Sequence, residues 1–378
     1  MTSQRWAWAH IDHDALRHNA QTLAQHVAPQ QLWAVVKADA YGHGAVECAQ
    51  VALSAGAQGL CVALVDEGVA LRNAGISAPI LVMSEQPAEQ YSEIVAYGLI
   101  ATVYNESSIA ELAHVAQQCE VMTAVHLKID TGMHRVGVDP ERAVDAAKKI
   151  AAAQWLTLDG VYTHCATADA TDATFAEQQI SQFAHVVSEI RTAEIAVQHV
   201  HVSNSASAIR HLDSQVQCTL SRVGIALYGI AGDAESNSFG ADHQLELHPV
   251  MSLRARVSHV QRVKAGEGVS YGLRRPVERD SIIATIPLGY ADGVPRGLWQ
   301  AGSVLIGGKR RQFAGVITMD QLMVNCDNDE IAIGDEVVLI GTQGSDSITA
   351  NEWARHMDTI GYEIVCGISA RVPRRYIN

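Results

Sequence analysis

Short apolar runs alternate with helical patterns over roughly the first 230 residues, and this alternation limits the possible folds most strongly. Eight runs are apolar on both faces of a would-be strand: residues 32–36, 60–64, 80–83, 100–103, 124–129, 158–162, 199–202 and 223–227. Helical spacing separates several of them, at residues 45–55, 67–73, 107–119, 141–153 and 175–191. Such an alternation is typical of a parallel sheet covered by helices.

The repeated units predict an α/β fold that begins with a (β/α)8, TIM-like barrel. An open, doubly wound sheet is the competing architecture. We favour the barrel because no Gly-x-Gly-x-x-Gly turn opens the first unit.

A change of pattern near residues 231–244 indicates a second domain. That segment is small and polar, and helical spacing mostly disappears after it. Strands are predicted at residues 252–263, 281–288, 303–306, 312–317, 321–325 and 336–340, with one helix at 350–357. We therefore predict a barrel domain at residues 1–237 and a β-rich C-terminal domain at residues 238–378.

Composition and charge narrow the class of protein. The formal net charge of −14 argues against nucleic acid or an anionic membrane as a partner. The charged start of the chain and the lack of a long apolar run predict neither a signal peptide nor a spanning helix. Seven widely spaced cysteines without a CxxC pair suggest reduced thiols in a cytoplasmic protein, and no metal site is expected.

Several polar or glycine residues fall at predicted strand ends, where barrels of this type carry their chemistry. Those at or after strand ends are Lys37, Lys128, Arg135, His164, Asn204 and Ser205. The eighth predicted strand is expected to begin near Arg222 and to include Gly224 and Ile225.

Lys37 is the most informative of these residues, although its position alone supports two interpretations. A lysine that points into an apolar barrel mouth has a lowered pKa and a usable amine. It could equally extend to solvent. Gly224 could expose backbone N–H groups to an anion or allow close packing, and Ser205 could bind a phosphate, cap a helix, or do both.

The sequence resembles the bacterial alanine racemases, which are pyridoxal-phosphate enzymes of fold type III. The segment A-V-V-K-A-D-A-Y-G-H-G at 34–44 is similar to their cofactor-lysine motif, and G-V-S-Y-G at 268–272 to their second signature. Supporting matches in family order lie at residues 128–135, 222–229, 287–293 and 319–321.

This resemblance implies a racemase for alanine that supplies D-alanine for peptidoglycan. Lys37 would carry pyridoxal 5'-phosphate and act as a base on one face of the substrate Cα. Tyr271 of the partner subunit would act on the opposite face, so the enzyme would be a homodimer with shared active sites. Racemisation requires such a pair, because one group takes a proton and the other returns one from the opposite side.

The resemblance also assigns the remaining site residues. The cofactor would be bound by Lys37, Tyr41, His164, Asn204, Ser205, Arg222, Gly224, Ile225 and Tyr362. Arg222 would donate to the pyridine nitrogen and keep its own proton, which disfavours transamination. His164 would also help to tune Tyr271.

The substrate carboxylate would meet Arg135 and the Met319 amide, with Lys128, Tyr290 and Asp320 in support. Tyr290 would narrow the entrance. In some relatives the lysine that matches Lys128 is carbamylated, and a plain ion pair of Lys128 with Asp130 is the alternative. Thr318 departs from the family, where Cys or Ser is frequent, and could alter specificity slightly.

Three other functions remain open at this stage. Decarboxylases of fold type III lack the signature around Tyr271. They also lack an arginine that, like Arg222, would be paired with the pyridine nitrogen. A non-catalytic pyridoxal-phosphate carrier would end near the barrel, whereas this chain continues for about 140 residues. A serine or broad-range racemase is disfavoured by the absence of a targeting or membrane segment.

Overall fold

A ring of parallel strands forms the first half of the computed structural model, which describes residues 5–230 and 245–378. Strand β1 (Ala7–Asp12) and helix α1 (His13–Val27) precede the ring. Its eight strands are β2 (Gln31–Val35), β3 (Gly59–Val62), β4 (Ile80–Val82), β5 (Ile100–Val103), β6 (Thr123–Lys128), β7 (Leu156–Tyr162), β8 (His199–His201) and β9 (Leu220–Val223). The helices between them are α2 (Lys37–Gly42), α3 (Ala45–Ser54), α4 (Val65–Asn73), α5 (Tyr91–Ala96), α6 (Glu106–Cys119), α7 (Pro140–Ala152), α8 (Thr174–Thr192) and α9 (Ser205–Ile209).

The ring is a nearly closed barrel, which confirms the predicted fold class over the open sheet. The strand order is β8-β7-β6-β5-β4-β3-β2-β9. Backbone bonds close the remaining gap between β8 and β9, because the amide of Thr219 donates to Val200 (2.9 Å) and that of Arg222 to Ser203 (3.0 Å). Every residue of β3, β4 and β5 is buried, as expected for strands packed on both faces.

The eighth strand lies earlier than predicted. Residues 223–227 were expected to form it, whereas β9 ends at Val223 and Ile225–Tyr228 forms a buried 3-10 turn. The polar Ser221 interrupts the apolar run, so the apolar pattern did not reveal this strand; its hydroxyl donates to Oε1 of Gln30 (2.7 Å). Arg222 therefore lies near the carboxyl end of the strand rather than at its start, and Gly224 and Ile225 follow the strand.

The C-terminal part is β-rich, as predicted, and contains two sheets. Its strands are β10 (Met251–Arg256), β11 (His259–Val263), β12 (Ser281–Ile286), β13 (Ser303–Ile306), β14 (Lys309–Gln312), β15 (Leu322–Asn325), β16 (Glu336–Gln343), β17 (Asp346–Ile348) and β18 (Arg374–Ile377). One sheet has the order β14-β13-β16-β10-β1-β18 with β17 beside β16, and the other is β11-β12-β15. Helices α10 (Ala350–Met357) and α11 (Gly361–Gly367) complete this part.

Several details of the C-terminal prediction were wrong; among them, strands β17 and β18 and helix α11 were not predicted. The single strand predicted at 252–263 is two strands in different sheets, and residues 312–317 form no strand beyond Gln312. Strand β1 was not predicted at all; it pairs antiparallel with β10 and parallel with β18, so the start of the chain joins the C-terminal sheet. The predicted boundary at 237/238 lies outside the described residues.

The two parts share one buried core, and the C-terminal part reaches the mouth of the barrel. The Nε of Arg374, on β18, donates to the carbonyl of Gly42 at the end of α2 (2.9 Å). All seven cysteines are free thiols. None of the helices in residues 5–230 and 245–378 combines the length and the hydrophobicity that a membrane-spanning helix needs.

Asn19 provides a test of how α1 is fixed to the barrel. Its fully buried side chain donates to the carbonyls of Leu227 (3.0 Å) and His248 (2.8 Å) and accepts from the His248 amide (2.8 Å). Because Asn19→Ala leaves buried backbone groups unpaired, we expect the free energy of unfolding to fall by about 2 kcal/mol in urea titrations. Gln21→Ala, at an exposed position of the same helix, is the control. If both substitutions lowered the free energy of unfolding equally, the hydrogen bonds of Asn19 would not be what fixes α1 to the barrel.

Candidate active site

The segment after Lys37 is a turn of left-handed helix. Four consecutive residues have φ between 52° and 54°, namely Ala38, Asp39, Ala40 and Tyr41. This handedness costs roughly 1–2 kcal/mol per L-residue, so neighbouring groups must stabilise it. The carboxylate of Asp39 accepts from the amide of Ala45 (2.8 Å), and the buried ring of His43 bonds the Ala40 carbonyl (2.9 Å). The turn brings Lys37 and Tyr41 to the same cavity.

Glu67 fixes the start of this turn, although it was not among the predicted site residues. Its Oε1 accepts from the amide of Ala38 (2.6 Å), while Oε2 accepts from Ala63 (2.8 Å) and Leu64 (3.1 Å). The carboxylate thus joins the residue after Lys37 to the end of β3. An acidic residue in the first turn of the helix after a strand was the available signal.

A cavity of about 450 Å³ opens at the carboxyl ends of the strands and brings together most of the predicted site. The predicted residues that line it are Lys37, Tyr41, Lys128, Arg135, His164, Asn204, Ser205, Arg222, Gly224, Ile225 and Tyr362. Tyr362 comes from α11, so both parts of the chain contribute.

Cationic groups dominate the cavity. Burial, followed by the charge of Arg135, lowers the pKa of Lys37. Burial and the charges of Arg135 and Arg222 lower the pKa of Lys128 to about 7. Burial and the charge of Arg222 also lower the pKa of His164, which is therefore uncharged near neutral pH. Such a cavity suits an anion and holds amines that can be uncharged.

Arg222 is held rigidly at the base of the cavity and is 2% exposed. Its Nη2 donates to the carbonyls of Thr163 and Val202, each at 2.9 Å, and lies 3.3 Å from Nδ1 of His164. Its Nη1 donates to Nδ1 of His201 (2.6 Å). No carboxylate within the described residues forms an ion pair with it. The Nε–H and one Nη1–H remain for an acceptor in the cavity.

A second part of the cavity is built around Gly224. The hydroxyl oxygen of Ser205 accepts from the amides of Gly224 (3.0 Å) and Ala226 (3.4 Å), so its proton is available to an anion. A Cβ on Gly224 would lie 2.4 Å from the hydroxyl oxygen of Tyr41, so this position excludes a side chain. The residue that caps α9 is Asn204, whose side chain accepts from Ser207 (3.0 Å), rather than Ser205.

Four predicted residues do not line this cavity. Tyr271, Met319 and Tyr290 are 75%, 52% and 42% exposed. Asp320 accepts from Arg371 (2.7 Å), which suits a supporting role for its loop. The chain alone therefore does not bring Tyr271 to Lys37.

Lys128 and Asp130 do not form a surface ion pair. Lys128 is 6% exposed and its Nζ lies 5.5 Å from the ring centroid of Tyr162. The carboxylate of Asp130 instead accepts from the amides of Gly132 (3.0 Å) and His134 (3.1 Å). Lys128 is thus part of the cavity wall.

Comparisons with known proteins agree with this architecture. A family model described as "Alanine racemase, N-terminal domain" matches residues 11–232, and one described as "Alanine racemase, C-terminal domain" matches residues 250–376. An alanine racemase of Halothermothrix orenii is 39% identical over 376 residues, which cover 99% of this chain and 97% of that protein.

Solved structures with the same fold include racemases of different amino acids. The alanine racemase from D-cycloserine producing Streptomyces lavendulae gives a TM-score of 0.94 at 34% identity, covering 100% of this chain and 98% of that one. A histidine racemase from Leuconostoc mesenteroides subsp. sake gives 0.91 at 27% identity, covering 100% and 99%. With both family models matched and full-length relatives near 40% identity, the chain is an enzyme that belongs to the alanine racemase family.

Proposed function

We propose that this enzyme interconverts L-alanine and D-alanine with pyridoxal 5'-phosphate on Lys37, as a homodimer in which Tyr271 of the partner subunit completes each site. One observation carries the proposal. The amine of Lys37 lies in a cationic cavity that Tyr271 of the same chain does not line, and this motif tyrosine is 75% exposed. A second copy of the chain is the simplest source of that base.

The donors of the cavity fit the three functional groups of this cofactor. Lys37, with its lowered pKa, would bind the aldehyde carbon. The hydroxyls of Ser205 and Tyr41, with the backbone at Gly224 and Ile225, would receive the phosphate together with Tyr362 and Asn204. Arg222 would donate to the ring nitrogen, because its side chain is buried and still has free N–H groups.

Two proton-transfer groups account for racemisation at one carbon. Bound pyridoxal phosphate supplies an electron sink that stabilises negative charge at the substrate Cα. The Nζ of Lys37 would take or return a proton on one face of Cα, and the hydroxyl of Tyr271 of the partner subunit would do so on the other. Since the pKa of Lys37 is lowered, more of its amine is uncharged near neutral pH than in water.

Arg222 would also control which reaction follows proton removal. A guanidinium does not release its proton, so the group that faces the ring nitrogen donates a hydrogen bond without protonating it. Arg222 thus keeps the electron sink weak and favours return of the proton at Cα over transamination.

Arg135 and the Met319 amide would bind the substrate carboxylate, since a guanidinium matches its two oxygens. Tyr290 would narrow the entrance, and Asp320 would support the loop of Met319. The pKa of Lys128, lowered to about 7, makes its amine available for carbamylation beside Arg135. We propose a cytoplasmic enzyme that supplies D-alanine for peptidoglycan, so cells without it should need added D-alanine to grow.

Deuterium exchange tests the reaction and the substrate together. Incubated with L-alanine in D2O, the holoenzyme should form D-alanine that carries deuterium at Cα. Lys37→Ala should lose at least about a thousandfold in rate, because both cofactor attachment and one base are removed. L-serine and L-histidine are the comparison substrates. If exchange at Cα were faster on either of these than on alanine, that amino acid would be the preferred substrate. If no amino acid exchanged, the enzyme would not be a racemase.

Mixed dimers test the shared site. Lys37→Ala and Tyr271→Phe should each be nearly inactive alone. After the two are unfolded and refolded together, about a quarter of wild-type activity should appear, because half of the dimers are mixed and each has one intact site of two. Each variant refolded by itself is the control. No recovery in the mixture, with mixed dimers verified by mass, would remove Tyr271 from the partner's site.

A further inference from the structure

A line of hydrogen bonds leads from the cavity into the barrel. Nη1 of Arg222 lies 2.6 Å from Nδ1 of His201. Nε2 of His201 lies 2.9 Å from Nδ1 of His126, and Nε2 of His126 lies 3.1 Å from Oδ2 of Asp159. We call these four side chains the relay. Arg222, His201 and His126 are at most 2% exposed, and the Asp159 side chain is 18% exposed.

The groups at the two ends of the relay determine which nitrogen of each ring carries a proton. Arginine only donates, so Nδ1 of His201 accepts and its proton is on Nε2. That proton is donated to Nδ1 of His126, whose own proton is then on Nε2 and is donated to Asp159. An ionised carboxylate only accepts, which fits the last step. Both rings are therefore neutral with the proton on Nε2, and no other arrangement satisfies all three contacts.

The surrounding charges agree with neutral rings. Burial is the largest cause that lowers the pKa of His126 and of His201, and the charge of Arg222 contributes to both. The other titratable groups that face the two rings are His199 and Tyr162. Burial raises the pKa of Asp159 and the hydrogen bond from His126 lowers it; the net shift is downward, so Asp159 is ionised at neutral pH.

The backbone of β7 is shaped so that Asp159 can contact His126. Between Val125 and His126 the register of β6 against β7 shifts, so Asp159 is an extra residue in β7. Such a bulge redirects a side chain. The next residue, Gly160, has no room for a side chain, since its Cβ would lie 2.7 Å from Nε2 of His126. The bulge and the glycine together let the ring and the carboxylate meet.

We propose that Asp159 is a positioning residue that acts on Arg222 through His126 and His201. A buried guanidinium without a carboxylate partner is unfavourable unless other groups compensate its charge. The relay connects Arg222 to the negative charge of Asp159 and fixes Nη1 on His201, while two carbonyls fix Nη2. The consequence for reaction choice rests on the proposed function, in which Arg222 faces the cofactor's ring nitrogen.

The protonation states can be measured without relying on catalysis. We would record nitrogen NMR spectra of the full-length dimer with 15N-labelled histidine and assign the rings with His126→Asn and His201→Asn. Both rings should be neutral at pH 7 with the proton on Nε2. A proton on Nδ1 of either ring, or a charged ring, would overturn the proposal whether or not the enzyme is a racemase.

The effect of Asp159 on Arg222 can be measured from the products of the reaction. Transamination moves the amino group of alanine to the cofactor and yields pyruvate and pyridoxamine phosphate, so we would count racemisations per pyruvate formed. Asp159→Leu should lower this ratio about tenfold, the lower end of the effect found when a side chain that orients a metal ligand is removed. Asp159→Asn, which keeps an acceptor oxygen but not the charge, should have a smaller effect in the same direction and covers the case in which the leucine variant does not fold.

Asp213→Asn is the matched control. Asp213 is also a buried carboxylate, on the turn between α9 and β9, but it bonds Ser203 (2.7 Å) and Gln30 (3.1 Å) outside the relay. Its substitution should lower stability and leave the racemisation ratio and the His201 tautomer unchanged. A wild-type ratio in both Asp159 variants, or an equal fall in the ratio of Asp213→Asn, would mean that Asp159 has only a structural role.

Discussion

The burial of one guanidinium where the barrel closes is the constraint on which the rest of the site depends. The backbone of Arg222 bonds Ser203 and so joins β9 to the end of β8, while its side chain bonds the carbonyls of Thr163 and Val202. The same residue therefore closes the barrel and places the cation. A shift of β9 by one residue would break the closure and turn the cation away from the cavity.

A second constraint lies on the opposite side of the cavity, at Lys37. The left-handed turn after it is unfavourable in isolation and persists because Glu67 binds its first amide and Arg374 binds its last carbonyl. Arg374 is on β18, which pairs with β1 in the C-terminal sheet. The C-terminal part is thus required to shape the barrel mouth, and it also supplies Tyr362 to the cavity. The two parts are thus joined at the barrel mouth as well as through their shared core.

The sequence predicted the regular features well because they depend on local apolar patterns. The barrel strands other than β9 were located to within two residues at each end, and the motif residues of the barrel were assigned to one site. Strand β1 was missed because its partners, β10 and β18, lie far away in the chain. The relay was missed because a bulge at Asp159 leaves no mark in the polarity pattern. In the proposed dimer the location of Tyr271 relative to Lys37 depends on a second chain, which no pattern within one chain encodes.

The proposed reaction requires that Lys37 carry the cofactor in this cationic cavity. Borohydride reduction of the purified holoenzyme, followed by proteolysis and peptide mass analysis, would identify the lysine, because reduction makes the attachment permanent. We expect a phosphopyridoxyl group on the peptide that contains Lys37, with Lys128 free of it. Modification of a different lysine, or of none under conditions in which the enzyme is active, would exclude Lys37 as the attachment site.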